Sequence, residues 1–233
     1  MKEITIPSHI TSLGKNSFEY CDALKKLDIQ SVTSIGESSF KDCYSLTEIT
    51  LSSQLPRIED SCFSVCSSLL KITIPSSVTH IGNSAFYGCS SLTEIIIPSS
   101  VKFIGNNVFE ECISLVKAIF PPNLNNIGNN TFFGCSSLIE FSIPSKVKKI
   151  GPNVFRKCSL EKIELPQNLT EIGENAFYGC LSLKEIVIPP SVKSIGSSAF
   201  RMCSALKKIM IPKKLSKIGE NAFHGCLVKP EIY

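Results

Sequence analysis

The sequence predicts a repeat solenoid: a curved slab, mostly β, with a parallel sheet on one face and short helical turns on another. Three columns of residues predict it. Cys21, Cys43, Cys66, Cys89, Cys112, Cys135, Cys158, Cys180, Cys203 and Cys226 follow one another at 22 or 23 residues. Phenylalanine stands three positions before each of them, from Phe18 to Phe223. Eight positions before each stands isoleucine, or Leu13 in the first unit, followed by glycine everywhere except the third unit, where Glu59 replaces it. A fixed period of about 20–50 residues marks units too small to bury their own apolar face, which they bury against their neighbours instead.

Each element follows from the pattern within one unit. After the cysteine runs L-x-x-I-x-I, usually closed by proline, as in Leu92–Pro98 and Leu183–Pro189. Apolar positions two apart suit a strand with one face in the core, and proline, lacking an N–H, ends it. Stacked strands of this kind form a parallel sheet with rungs ~4.8 Å apart. The V-x-x-I segments, such as Val78–Ile81 and Val192–Ile195, are short enough for a second, ragged strand or a turn on the opposite wall. The glycine that follows suits a tight turn or a positive φ. The A-F-x-x-C segment reads as one helical turn. No linker or shift of composition interrupts the series, so residues 1–233 read as a single domain of about ten repeats.

The full unit, L-x-x-I-x-I-P-x-x-V-x-x-I-G-x-x-A-F-x-x-C-x-x, resembles the treponemal-type leucine-rich repeats, about 23 residues long, of the BspA-like family. The departures are few: Glu59 for glycine, Gln30 and Ser52 for proline, Ala118 for isoleucine. The resemblance implies a leucine-rich-repeat horseshoe and a non-enzymatic module that binds a protein through its strand face. It also implies a cell-surface or secreted protein that adheres to host or matrix proteins.

Composition narrows the alternatives. A chain of 233 residues, 43% hydrophobic and 19% charged, is that of an ordinary packed protein, long enough to fold without disulfides. The opening MKEITIPSHITSLG lacks the apolar core of a signal peptide, and no stretch approaches ~18 consecutive apolar residues. No membrane insertion of this chain is expected, and a cytoplasmic scaffold, such as one associated with the cytoskeleton, stands as the alternative to surface display. The cysteine column offers one thiol per rung and no accompanying histidine, unlike the convergent ligands of zinc. It reads as a reduced ladder in the core, with Cys62 in the small-residue column of Ala85, Ala176, Ala199 and Ala222. So many thiols favour a reducing compartment. No metal and no cofactor are expected.

The third strand position points outward and alternates in sign: Glu3, Lys26, Glu48, Lys71, Glu94, Lys117, Glu140, Lys162, Glu185, Lys208 and Glu231. A slip of one repeat would set like charges opposite each other, so this ladder can fix the stacking order. It is neutral along its length, a poor track for phosphates, and no nucleic-acid partner is expected. Beside it, Ile96 and Ile119 at the fifth position and Leu70, Val116 and Ile139 at the second form a candidate exposed apolar patch for a protein ligand. Catalysis finds no support: His9, His80 and His224 lie in distant repeats, and no nucleophile elbow, P-loop or H-E-x-x-H occurs. The sequons at Asn129 and Asn168 would accept glycans in a eukaryotic secretory path. Glu3 and Glu231 at the ends would repel each other in head-to-tail stacking, so a monomer is expected.

Overall fold

The computed structural model describes residues 3–233 and shows a solenoid of parallel strands with three walls. The first wall carries the L-x-x-I-x-I segments, including Lys26–Ile29, Glu48–Leu51, Glu94–Ile96, Lys117–Ile119, Glu185–Val187 and Lys208–Ile211. Exposed and buried positions alternate along Lys26–Ile29 and Glu48–Leu51, as the sequence requires. The second wall holds two-residue strands ending at the isoleucine before glycine, such as His80–Ile81 and Ser194–Ile195. All of the paired strands are parallel neighbours in successive rungs. Between the walls lies one continuous core from Leu13 to Ala222, in which the phenylalanine column stacks ring on ring with centroids 5.0 Å apart at Phe177–Phe200 and 5.8 Å at Phe109–Phe132.

The third wall corrects the expectation of a helical turn. No helix forms among the described residues. In every unit the residue two before the phenylalanine is left-handed, as at Asn107 (φ 60°), and so is the one before the cysteine, as at Glu111 (φ 59°) or Gly134 (φ 76°). Two such residues four apart cannot sit in a right-handed helix. The amides go across the rungs instead: Phe40 N–H donates to Cys62 O at 2.9 Å and Asp42 N–H to Ser64 O at 2.8 Å. Asparagine and serine fill the whole of the first left-handed column, from Asn16 to Asn221; the short polar side chain of asparagine tolerates that conformation best after glycine.

The glycine after each isoleucine has a different reason from the one anticipated. Its φ is not left-handed; the positive-φ glycines are Gly88, Gly134, Gly179 and Gly225, elsewhere in the repeat. Close approach dictates it: a Cβ on Gly36 would lie 2.5 Å from Lys15 N, and one on Gly105 2.7 Å from Asn83 N. Where Glu59 takes the place, the ladder on the second wall parts. Ser34–Ile35 pairs back to Ser12–Leu13 and Arg57–Ile58 forward to His80–Ile81, but the two do not pair with each other.

The cysteine column is what the spacing suggests, with one addition. All eleven cysteines are free, and Cys43 through Cys203 are buried, Cys62 among the alanines of its column included. Each thiol of the repeat-spaced column from Cys43 to Cys226, a column to which Cys62 does not belong, donates to the phenylalanine carbonyl one rung back, at 3.1 Å for Cys66 to Phe40 O and for Cys135 to Phe109 O. Cysteine is thus both filler and donor, which alanine or valine at that site would not be. Burial pushes the Cys43 thiol up to about 12 and Cys89 and Cys135 well above the ordinary range.

Candidate protein-binding face

The first wall presents the ladder through register. Glu3 lies opposite Lys26, Lys26 opposite Glu48, Glu94 opposite Lys117 and Glu185 opposite Lys208. Lys26 Nζ reaches Glu48 Oε2 at 2.8 Å and Lys117 Nζ reaches Glu94 Oε2 at 3.8 Å. The hydrogen bond from Lys26, then its charge and that of Lys71, hold the Glu48 carboxyl below its usual value. The last step of the ladder does not occur. The final strand, Glu231–Ile232, sets Glu231 opposite Met210 instead of Lys208. Tyr233 turns in at this end: its N–H donates to Ile211 O at 3.0 Å and its hydroxyl to Ile188 O at 2.8 Å, two rungs away. Glu231 therefore stands outside the third-position column that Glu3 begins.

The five apolar candidates are all exposed, from 43% at Ile119 to 54% at Leu70. Ile96 and Ile119 are register neighbours. Leu70, Val116 and Ile139 occupy the second position, three residues before the fifth, so the ladder residues Lys71, Glu94, Lys117 and Glu140 run between two apolar strips. The single patch becomes two margins of a charged stripe, and Val187, exposed at the fifth position, lies further along the Ile96 and Ile119 column. Among the described residues no group of three or more His, Cys, Asp or Glu side chains could hold a metal ion. No helix of the described residues is long and apolar enough to cross a membrane.

The sheet on this wall is interrupted, and the interruptions shape it. Lys117–Ile119 pairs back to Glu94–Ile96, but among the described residues no backbone hydrogen bond joins it to residues 140–143. Here Phe120 and Phe141 replace core isoleucines and meet edge to face at 5.2 Å, while Phe141 also packs on Phe132 at 4.8 Å. Ala118, in the same column as Phe141, is the small residue beside the large one. The parted rungs leave a hollow of about 430 Å³ lined by Lys117, Ile119, Phe120, Glu140, Ser142 and Lys162. A neighbouring hollow of about 420 Å³, lined by Ile139, Glu140, Glu161, Lys162, Lys184 and Glu185, shares Glu140 and Lys162 with it. Ladder charges and apolar margins thus meet at these two hollows, and a third, of about 590 Å³, lies further along the face beside Glu48 and Lys71. Column-wise reading finds the residues; it misses the relief, which depends on side-chain volume in the core beneath.

A parallel β-solenoid with a short repeat, an open strand face and free core cysteines defines a leucine-rich-repeat protein. The chain matches the BspA type leucine rich repeat region over residues 1–116 and 102–229, and it belongs to that family. Its fold is similar to a leucine-rich repeat protein from Bacteroides ovatus at 24% identity, TM-score 0.68, covering 99% of this chain and 86% of that one. A leucine rich cell surface protein from Faecalibacterium prausnitzii matches at 29% identity and TM-score 0.56, covering 100% of this chain and 79% of that one. A leucine-rich repeat protein of T. pallidum matches at 26% and TM-score 0.52, covering 88% and 77%. No curated protein matches the chain. Leucine-rich repeats generally serve as interaction modules and typically carry no catalytic activity.

Proposed function

We propose that residues 1–233 form one non-enzymatic binding domain, displayed at the cell surface or secreted, that attaches to a host or matrix protein through its strand face. The observation that carries the reading is the convergence of exposed Ile119 and Ile139 with Lys117, Glu140 and Lys162 around the two hollows. Apolar groups flanking paired charges suit a protein surface, where apolar contact gives affinity and charge gives fit. The cell-surface description of the Faecalibacterium relative supports the location. A surface array of purified matrix proteins tests it. Wild-type protein binds at least one of them, and the double variant Ile96→Asp with Ile119→Asp, folded by circular dichroism, loses that binding. Undiminished binding by the folded variant would assign the contact to another wall.

A second reading is an intracellular scaffold, favoured by eleven free thiols. Burial and hydrogen bonding of the column weaken that argument, because such thiols are poorly reactive in either compartment.

A further inference from the structure

The charge of the chain is divided along its axis. Residues 1–143 carry nine basic and thirteen acidic side chains, and residues 144–233 carry fifteen and seven. Much of the excess falls on the second wall. Lys146 and Lys214 precede the buried Val147 and the half-buried Leu215, Lys148 follows Val147 and Lys193 follows Val192, and Lys149 and Lys217 stand next to the isoleucine of their rungs; all six are exposed. Lys146 and Lys214 lie in the turns that lead into this wall, and backbone pairing aligns the others across the rungs: Lys149 opposite Glu171, Glu171 opposite Ser194, Ser194 opposite Lys217. Thr170 N–H donates to Lys148 O at 2.8 Å and Lys193 N–H to Thr170 O at 2.9 Å, so these two lysines are two rungs, ~10 Å, apart. One carboxylate lies inside the group, Glu171, paired with Lys149 at 2.8 Å. Glu174 and Glu220 flank it, on the turn that follows.

Six exposed ammonium groups along one side of the solenoid make an anion-binding surface, and its other residues select among polyanions. No aromatic side chain stands in these columns from Pro144 to Gly219 on which bases could stack. No helix is present among the described residues to enter a groove of duplex DNA. The exposed neighbours include Gln167, Asn168 and Ser216, with Pro190 and Ile218 the apolar ones, which offers little to a membrane. Lysine, a compact and strongly hydrated charge, meets many exposed anionic groups without demanding the planar geometry arginine reads. We propose that the wall from Lys146 to Lys217 binds a linear sulfated polysaccharide. The site is separate from the strand face and does not depend on that reading.

Heparin is the probe. At about 0.15 M salt the wild-type protein is retained on immobilised heparin, and retention falls as added salt screens the contact. Replacing Lys146, Lys148, Lys149 and Lys193 with glutamine weakens binding about 100-fold, taking exposed ion contacts near the top of their usual range. A folded control lacking as much charge elsewhere, with Lys15, Lys25, Lys157 and Lys207 replaced by glutamine, keeps most of its affinity. Heparin fragments compete, whereas oligothymidylate and phosphatidylserine vesicles do not. Absence of wild-type retention, equal loss in both variants, or equal competition by the oligonucleotide or the vesicles would each overturn the assignment.

Discussion

Two columns of single residues hold the rungs at their spacing. Glycine after the isoleucine is required by approach alone, since a Cβ on Gly105 would meet Asn83 N and Gly82 C within 2.8 Å. Gly105→Ala is expected to destabilise by about 1–3 kcal/mol, read as a lower midpoint in urea denaturation. A gain in stability would show that the backbone yields more easily than the packing implies. The cysteines make the opposite demand, for a protonated thiol. Because burial raises Cys43 to about 12 and others further, the folded state keeps these protons above the ordinary thiol value of 9.0, where the unfolded chain releases them. Stability contributed by the column is therefore complete below pH 9 and declines as pH rises above it. Thermal melts between pH 7 and about 10.5 measure the decline, and replacing the buried thiols with serine should flatten it. Alkylation of the native protein at neutral pH should be confined to the half-buried Cys21 and Cys226 at the ends.

Along the elements, the charge ladder and the wedged phenylalanines set how the rungs meet. Lys71→Glu would place three carboxylates in successive rungs from Glu48 to Glu94, at a cost of about 0.5–1 kcal/mol in low salt that high salt should abolish. Ala118→Ile would crowd the column containing Phe141 and is expected to cost about 1–3 kcal/mol, while adding Phe141→Ile in the same chain should restore most of it. Additive losses, measured by the double-mutant cycle, would show that the two positions do not share space. The strand wall, the short second strands and the buried cysteine column were all legible in the sequence, because each is a residue type repeated at one position. Three features were not. The turn wall reads as helix because A-F-x-x-C has helical spacing, while the left-handed backbone beside it shows only as an excess of asparagine and serine. Glu231 was placed on the ladder by counting, but the closing unit has its own spacing and sets it beside Met210. The hollows follow from two phenylalanines read merely as apolar.

Over the whole molecule the walls divide the work. One wall keeps the rungs joined without a break through residues 107–156, where the other two part: Asn107 N–H to Asn129 O at 2.8 Å and Phe132 N–H to Val154 O at 2.9 Å are among its links. That continuity lets the strand face be uneven without dividing the solenoid. The same face joins apolar margins to a charge-balanced stripe, while the basic wall stands apart from it. The proposal that this protein meets host or matrix molecules outside the cell is the central claim. Antibody labelling of intact source cells beside permeabilised ones tests it most directly. The account predicts signal on intact cells, lost after brief surface proteolysis; signal confined to permeabilised cells would contradict it.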